Sequence, residues 1–262
     1  MKACRIGTAA PQAGVAAQGA RRRYALLDTI RGATLISMIV YHASWDLVHL
    51  FDMDWPWYRG SAGFLWQQSI CWAFILLSGF CWPLGRRPVR RGLGVLAAGT
   101  AVSIVTVLFV PDSRILFGIL TMLGACMLLM APLDRVLRRV PAAAGVAGCA
   151  VLFFLSWGVP HGYAGIAGLP LVRLPRALYH GAAAAFLGFM PEGFFSTDYF
   201  PLLPWVFLFA AGYFICRLFC RHNLLERCLS PGLPGLDALG KRSLFIYVIH
   251  QPVLYLCMSA CL

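Results

Sequence analysis

The sequence predicts an all-α fold, a polytopic bundle of about seven transmembrane helices plus a re-entrant or interfacial segment. Three observations predict it. Of 262 residues, 60% are hydrophobic and 12% are charged, where a soluble domain carries about 25% charged residues. The apolar residues come in blocks near the ~20 that a helix needs to cross the hydrocarbon core. The arginines gather in short clusters between those blocks, the pattern of membrane-protein loops. The net charge of +12 thus belongs to loops, and no nucleic-acid partner is expected.

Taken in order, residues 1–22 are Ala- and Gly-rich and lack the apolar core of a signal peptide. They are expected to form a disordered cytoplasmic tail ahead of one membrane domain, 23–262. The spans fall at about Tyr24–Val48, Phe64–Leu84, Leu93–Val110, Ile115–Leu133, Ala142–Val159, Phe200–Phe219 and Ser243–Leu262. Placing the N-terminus inside puts 17 of the 22 basic residues on the cytoplasmic side. Arg59, Arg114, Arg173 and Arg176 stay outside, and Arg31 lies within a span. That bias favours N-in and C-out in a bacterial inner membrane. Trp45, Trp55, Trp57, Trp66, Trp157 and Trp205 then fall near the outer interface, where aromatic belts form. Ala177–Met190 is too short to span and is expected inside a large outer region, Pro160–Tyr199. The ten cysteines include no C-x-x-C pair, so neither a disulfide framework nor a metal site is expected.

Polar residues inside the spans carry the functional signal, because ionisable groups are costly in lipid. The first span holds Asp28, Arg31, His42 and Asp46. Arg31 and His42 are eleven residues apart, which places them within roughly 20° of one helix face and about 16 Å apart along the axis. Asp28 and Arg31 have the i, i+3 spacing of an ion pair, and His42 and Asp46 the i, i+4 spacing of a hydrogen bond. An arginine near the cytoplasmic end suits the phosphates of a ligand. A histidine beside a carboxylate near the outer end suits general-base chemistry on a hydroxyl or amine. The separation asks for an elongated ligand such as acyl-CoA. Structural readings stand beside these: Asp28–Arg31 as an interfacial ion pair, His42 as an interhelical tie, Asp46 as a solvated helix end. In the last span His250-Gln251-Pro252 either lines a cavity or ties helices together. Asp198 suits the start of the sixth span or an acceptor-binding role.

Several strings resemble a known family. Leu27-Asp28-Thr29-Ile30-Arg31-Gly32, His42, Asp198-Tyr199-Phe200-Pro201-Leu202-Leu203-Pro204-Trp205 and Ile246-Tyr247-Val248-Ile249-His250-Gln251-Pro252 look like bacterial proteins with the heparan-alpha-glucosaminide N-acetyltransferase catalytic domain. The resemblance runs from about Arg23 to Tyr255. The Arg31-x10-His42 spacing also resembles the acyltransferase-three membrane family. His42-Ala43-Ser44-Trp45 reads like the string holding the active histidine of the larger lysosomal enzyme, where it lies farther from the Arg-Gly of the first span. The resemblance implies a cytoplasmic acyl-CoA donor, an extracytoplasmic glycan or amino-sugar acceptor and a histidine at the transfer centre. His42 and Asp46 are then the expected catalytic pair and Arg31 and Asp28 the expected donor-binding pair. Asp198, His250 and Gln251 are the candidates for contact with the acceptor. The bilayer, acyl-CoA and the acceptor are the expected partners, and a homo-oligomer is compatible with all of this. A transporter or flippase of a glycan precursor, or a non-catalytic partner in an envelope-glycan pathway, is the competing reading.

Overall fold

The computed structural model describes residues 24–166, 169–229 and 232–261, so the expected tail lies outside the described residues. In chain order the helices are α1 (Ala25–His49), α2 (Pro56–Arg59), α3 (Ser61–Cys81), α4 (Pro88–Phe109), α5 (Ile119–Leu137) and α6 (Ala142–Leu155). A hairpin, β1 (Tyr163–Ile166) and β2 (Leu169–Arg173), comes next. The chain ends with α7 (Gly181–Leu187), α8 (Leu202–Arg221), α9 (Leu224–Leu229), α10 (Leu236–Lys241) and α11 (Ser243–Cys261).

Six segments are long and apolar enough to cross a membrane: α3, α4, α5, α8, α11 and Ala142–His161, which is α6 with the turn that follows it. The protein is a multi-pass, all-α membrane protein. The seventh expected span is α1, whose 25 residues cover about 37 Å at 1.5 Å per residue. Its own polar stripe dilutes its apolar character.

Helix ends differ from the sequence reading for local reasons. α4 starts at Pro88, not Leu93, because proline is favoured in a first helical turn. α5 starts at Ile119, not Ile115. The residues between are held in a loop, Ile115 N–H by Thr106 Oγ1 at 3.0 Å and Leu116 N–H by Ser196 Oγ at 2.9 Å. Ala177–Met190 contains only a 3-10 turn and the seven-residue α7. The antiparallel hairpin and the six-residue α9 and α10 were not expected.

α8 is the hub. Its Phe209, Tyr213 and Phe214 are buried in the main core, and it packs on α3, α5 and α6. At its basic end Arg217 donates to the carbonyls of Leu137 (2.7 Å), Val140 (3.0 Å) and Arg138 (3.1 Å). These carbonyls lie at and just beyond the C-terminus of α5, where helical partners run out. Tyr213 Oη donates to Asp134 Oδ1 at 2.7 Å and joins the same two helices. A smaller cluster of Leu35, Met38 and Ile70, with Ile246 and Tyr247 against it, joins α1, α3 and α11.

Two glycines set how α1 meets the last helices. A Cβ on Gly32 would overlap the Leu236 carbonyl oxygen, and a Cβ on Gly240 would overlap the Asp28 carbonyl oxygen. Glycine at both points lets the backbones of α1 and α10 touch, as small residues do in membrane helix pairs. Leu233 N–H also donates to Thr29 Oγ1 at 3.0 Å. With α10 fixed to the first turns of α1, α11 runs along the rest of that helix. Its outer side, including Phe245, Val253 and Leu256, is exposed, which suits lipid.

Candidate active site

The crossing of α1 and α11 gathers the polar residues of both helices. The rings of His42 and His250 meet edge to face, 4.8 Å between centroids. One turn farther along α1, Asp46 is fully buried at 0% exposure. Gln251 Nε2 donates to Asp46 Oδ1 at 2.6 Å across 205 residues of sequence. Asp46 is therefore engaged by Gln251 and not by His42, although the i, i+4 spacing had pointed to His42. A carboxylate in this interior takes the best donor within reach, and α11 supplies it.

Among the described residues, Asp46 Oδ2, Gln251 Oε1 and His250 Nε2 are buried without a hydrogen-bond partner. Buried polar atoms left bare are costly, and three in one place mark a centre built to meet something else. The tautomer of His250 follows from its neighbour. Nδ1 sits 2.5 Å from the Tyr247 carbonyl oxygen. A carbonyl only accepts, so Nδ1 carries the proton and Nε2 presents a lone pair.

Aromatic rings brace the centre from the α2–α3 side. Tyr41 lies 5.2 Å from both Tyr58 and Trp66. Trp66 Nε1 donates to Ser37 Oγ at 2.9 Å, and Tyr58 Oη donates to the Tyr41 carbonyl at 3.1 Å. Burial, with Tyr41 and Asp46 nearby, pushes the Tyr58 phenol above its ordinary range, so it stays a donor. Sequence reasoning missed Tyr41 and Tyr58; the crowding of aromatics about the outer end of α1 was the available signal, and an aromatic belt explained it equally well.

Asp198 is not the cap of α8, which begins behind Pro201. Its Oδ2 instead accepts the Ile119 N–H of α5 at 3.2 Å. Burial pushes its carboxyl up to about 6, with the Ile119 N–H working against that rise. It lies near enough to act electrostatically on Cys71 of α3 and Tyr247 of α11. The structure thus makes it the residue that anchors the start of α5.

The other end of α1 carries the basic site. Arg31 pairs with Asp28 at 2.7 Å. It also meets the Cys81 thiol at the end of α3, where Arg91 reaches the Cys81 carbonyl at 3.5 Å. Arg86, Arg87, Arg90 and Arg91 with Gly85 line an open cavity of about 360 Å³. The described residues hold no cluster of metal-ligating side chains.

The catalytic-domain model of heparan-alpha-glucosaminide N-acetyltransferase matches residues 23–252. The chain belongs to that family. No curated protein and no solved structure matches it. This family is one of membrane acetyltransferases. The matched stretch takes in Asp28, Arg31, His42, Asp46, Asp198, His250 and Gln251. Both halves of the buried centre and the basic end of α1 are parts of the family's catalytic domain.

Proposed function

We propose that this protein transfers an acetyl or other acyl group from cytoplasmic acyl-CoA to an extracytoplasmic glycan or amino-sugar acceptor, with His42 as the general base. The bacterial inner membrane is its proposed site. The observation that carries the reading is the edge-to-face pairing of His42 with the buried His250 at the α1–α11 crossing. It lies on the same helix as Arg31, about 16 Å away by helical rise.

Each group has a task in the reaction. Arg31, held in place by Asp28, offers a planar fork to the donor's phosphates. The neighbouring arginines add positive charge where a polyanion enters. The thioester arm then extends along α1 towards His42. There the acceptor's hydroxyl or amine attacks the thioester carbonyl while His42 removes its proton. Asp46 and Gln251 hold α1 and α11 together and keep the two rings opposed. Burial of Asp46 and His250 lowers the local dielectric and strengthens these electrostatic contacts.

Incubating purified protein with labelled acetyl-CoA and glucosamine tests the reading. The expected result is labelled N-acetylated sugar, formed about 10²- to 10⁴-fold more slowly by His42→Ala. Arg31→Lys should weaken acetyl-CoA binding, because a point charge does not replace a bidentate fork. Unmodified sugar crossing the membrane while acetyl-CoA stays intact would overturn the proposal in favour of a transporter.

A further inference from the structure

We infer that His250 shares the proton that His42 removes from the acceptor, so that the base is a pair of histidines and not one. The inference rests on the acyl-transfer reading above, and three observations carry it. Among the 19 residues of α11, the one buried side chain is His250. Its Nε2 is buried and unpartnered while Nδ1 is committed to the Tyr247 carbonyl. The ring against it is that of His42, which is only partly buried and makes contact with Tyr41 and His250 alone among its ring contacts.

A helix tie does not explain this arrangement. The tie between α11 and α1 is made next door by Gln251 and Asp46 at 2.6 Å. A histidine kept for structure would have its second nitrogen satisfied as well. Instead the lone pair is left bare beside a second imidazole. A neutral His42 has one N–H. Once it gains the acceptor's proton it has two, and the bare acceptors of the centre are His250 Nε2, Asp46 Oδ2 and Gln251 Oε1, of which His250 carries the ring already against it. The ring centroids are 4.8 Å apart, and the sharing requires a turn of the His42 ring about its Cβ–Cγ bond that brings a ring nitrogen to His250 Nε2. Asp46 on the next turn of α1 is the acidic group near the pair, with Gln251 on one of its oxygens, and the rings of Tyr41 and Tyr247 are the other titratable groups against the two imidazoles.

The step balances without a further reactant. The acceptor's nitrogen or oxygen forms a bond to the acyl carbon, and the C–S bond breaks with its electron pair going to the CoA sulfur. The acceptor's proton passes to His42, and an N–H of the resulting imidazolium is shared with His250 Nε2. The proton then returns to the CoA thiolate, and both rings end neutral. His250 therefore acts through His42, as a positioning and proton-sharing residue.

Solid-state NMR on the full chain in lipid, with ¹⁵N-labelled imidazoles, tests this without any acceptor. The protein has six histidines, and His42→Asn and His250→Asn assign the two signals. The asparagine at 250 keeps a donor for the Tyr247 carbonyl, so it preserves the local fold. On acidification the expected result is one strongly downfield proton correlated to nitrogens of both histidines, absent from either variant. Two histidines that titrate with no shared proton would overturn the inference. The labelled-acetyl assay separates this from failure of the acyl-transfer reading. If wild-type protein transfers acetyl, His42→Ala does not, and His250→Asn is as fast as wild type, the pair is overturned and the transferase stands.

Discussion

Asp198 is a carboxyl group placed where burial opposes its charge, and its effect on stability has a definite sign. Its folded pKa of about 6 lies above the ordinary 3.8. Between those values the folded protein keeps a proton that the unfolded chain has released. The contribution to stability is therefore full below about pH 4 and is lost as pH rises through about 6. Asp198→Asn retains an oxygen for the Ile119 N–H and carries no charge. Thermal melts of the two proteins in nanodiscs should show wild type losing stability relative to the variant across that window. Parallel melting curves at all pH values would contradict the assignment. The individual polar residues were legible in the sequence, because each is conspicuous in an apolar block. Their partners were not. Asp46 and Gln251 are 205 residues apart, and the i, i+4 rule that pointed Asp46 to His42 describes an isolated helix. Tertiary packing brought a better donor.

The element that decides the site is the α10–α11 pair. α10 has six residues, too few for a helical period to be seen in the sequence, and it was read as part of an inner loop. Yet its backbone contact with α1, through Gly32 and Gly240, aligns α11 so that His250 meets His42. Gly240→Ala should force these backbones apart, since its Cβ has only the Asp28 main chain to occupy. Overpacking of this kind typically costs about 1–3 kcal/mol. The expected outcome is a lower melting temperature together with loss of crosslinking between Cys substituted at His42 and at His250. Retained crosslinking and an unchanged melt would show that α11 is positioned by other contacts. The hairpin escaped the sequence reading for a related reason. Its Leu169, Leu171 and Val172 are exposed, so no alternation of buried and exposed residues marks β2.

For the molecule as a whole, the apolar blocks revealed the six helices long and apolar enough to cross a membrane, because bilayer thickness imposes a length that survives without any knowledge of packing. The order of packing around α8 did not follow from those blocks, since lipid-facing and core-facing helices are nearly equally apolar. What the assembled fold adds is a single helix, α1, with an arginine site at one end and a histidine centre towards the other, both braced by neighbours from distant sequence. The central claim is that chemistry crosses the bilayer along this helix. The most direct measurement uses proteoliposomes with labelled acetyl-CoA supplied only on the side of the Arg86–Arg91 loop and glucosamine only on the side of the Pro160–Tyr199 region. The expected product is labelled N-acetylglucosamine on the glucosamine side, with His42→Ala losing at least about 10²-fold in rate. Product formed only when both substrates share one side, or His42→Ala retaining more than about a tenth of the rate, would contradict it.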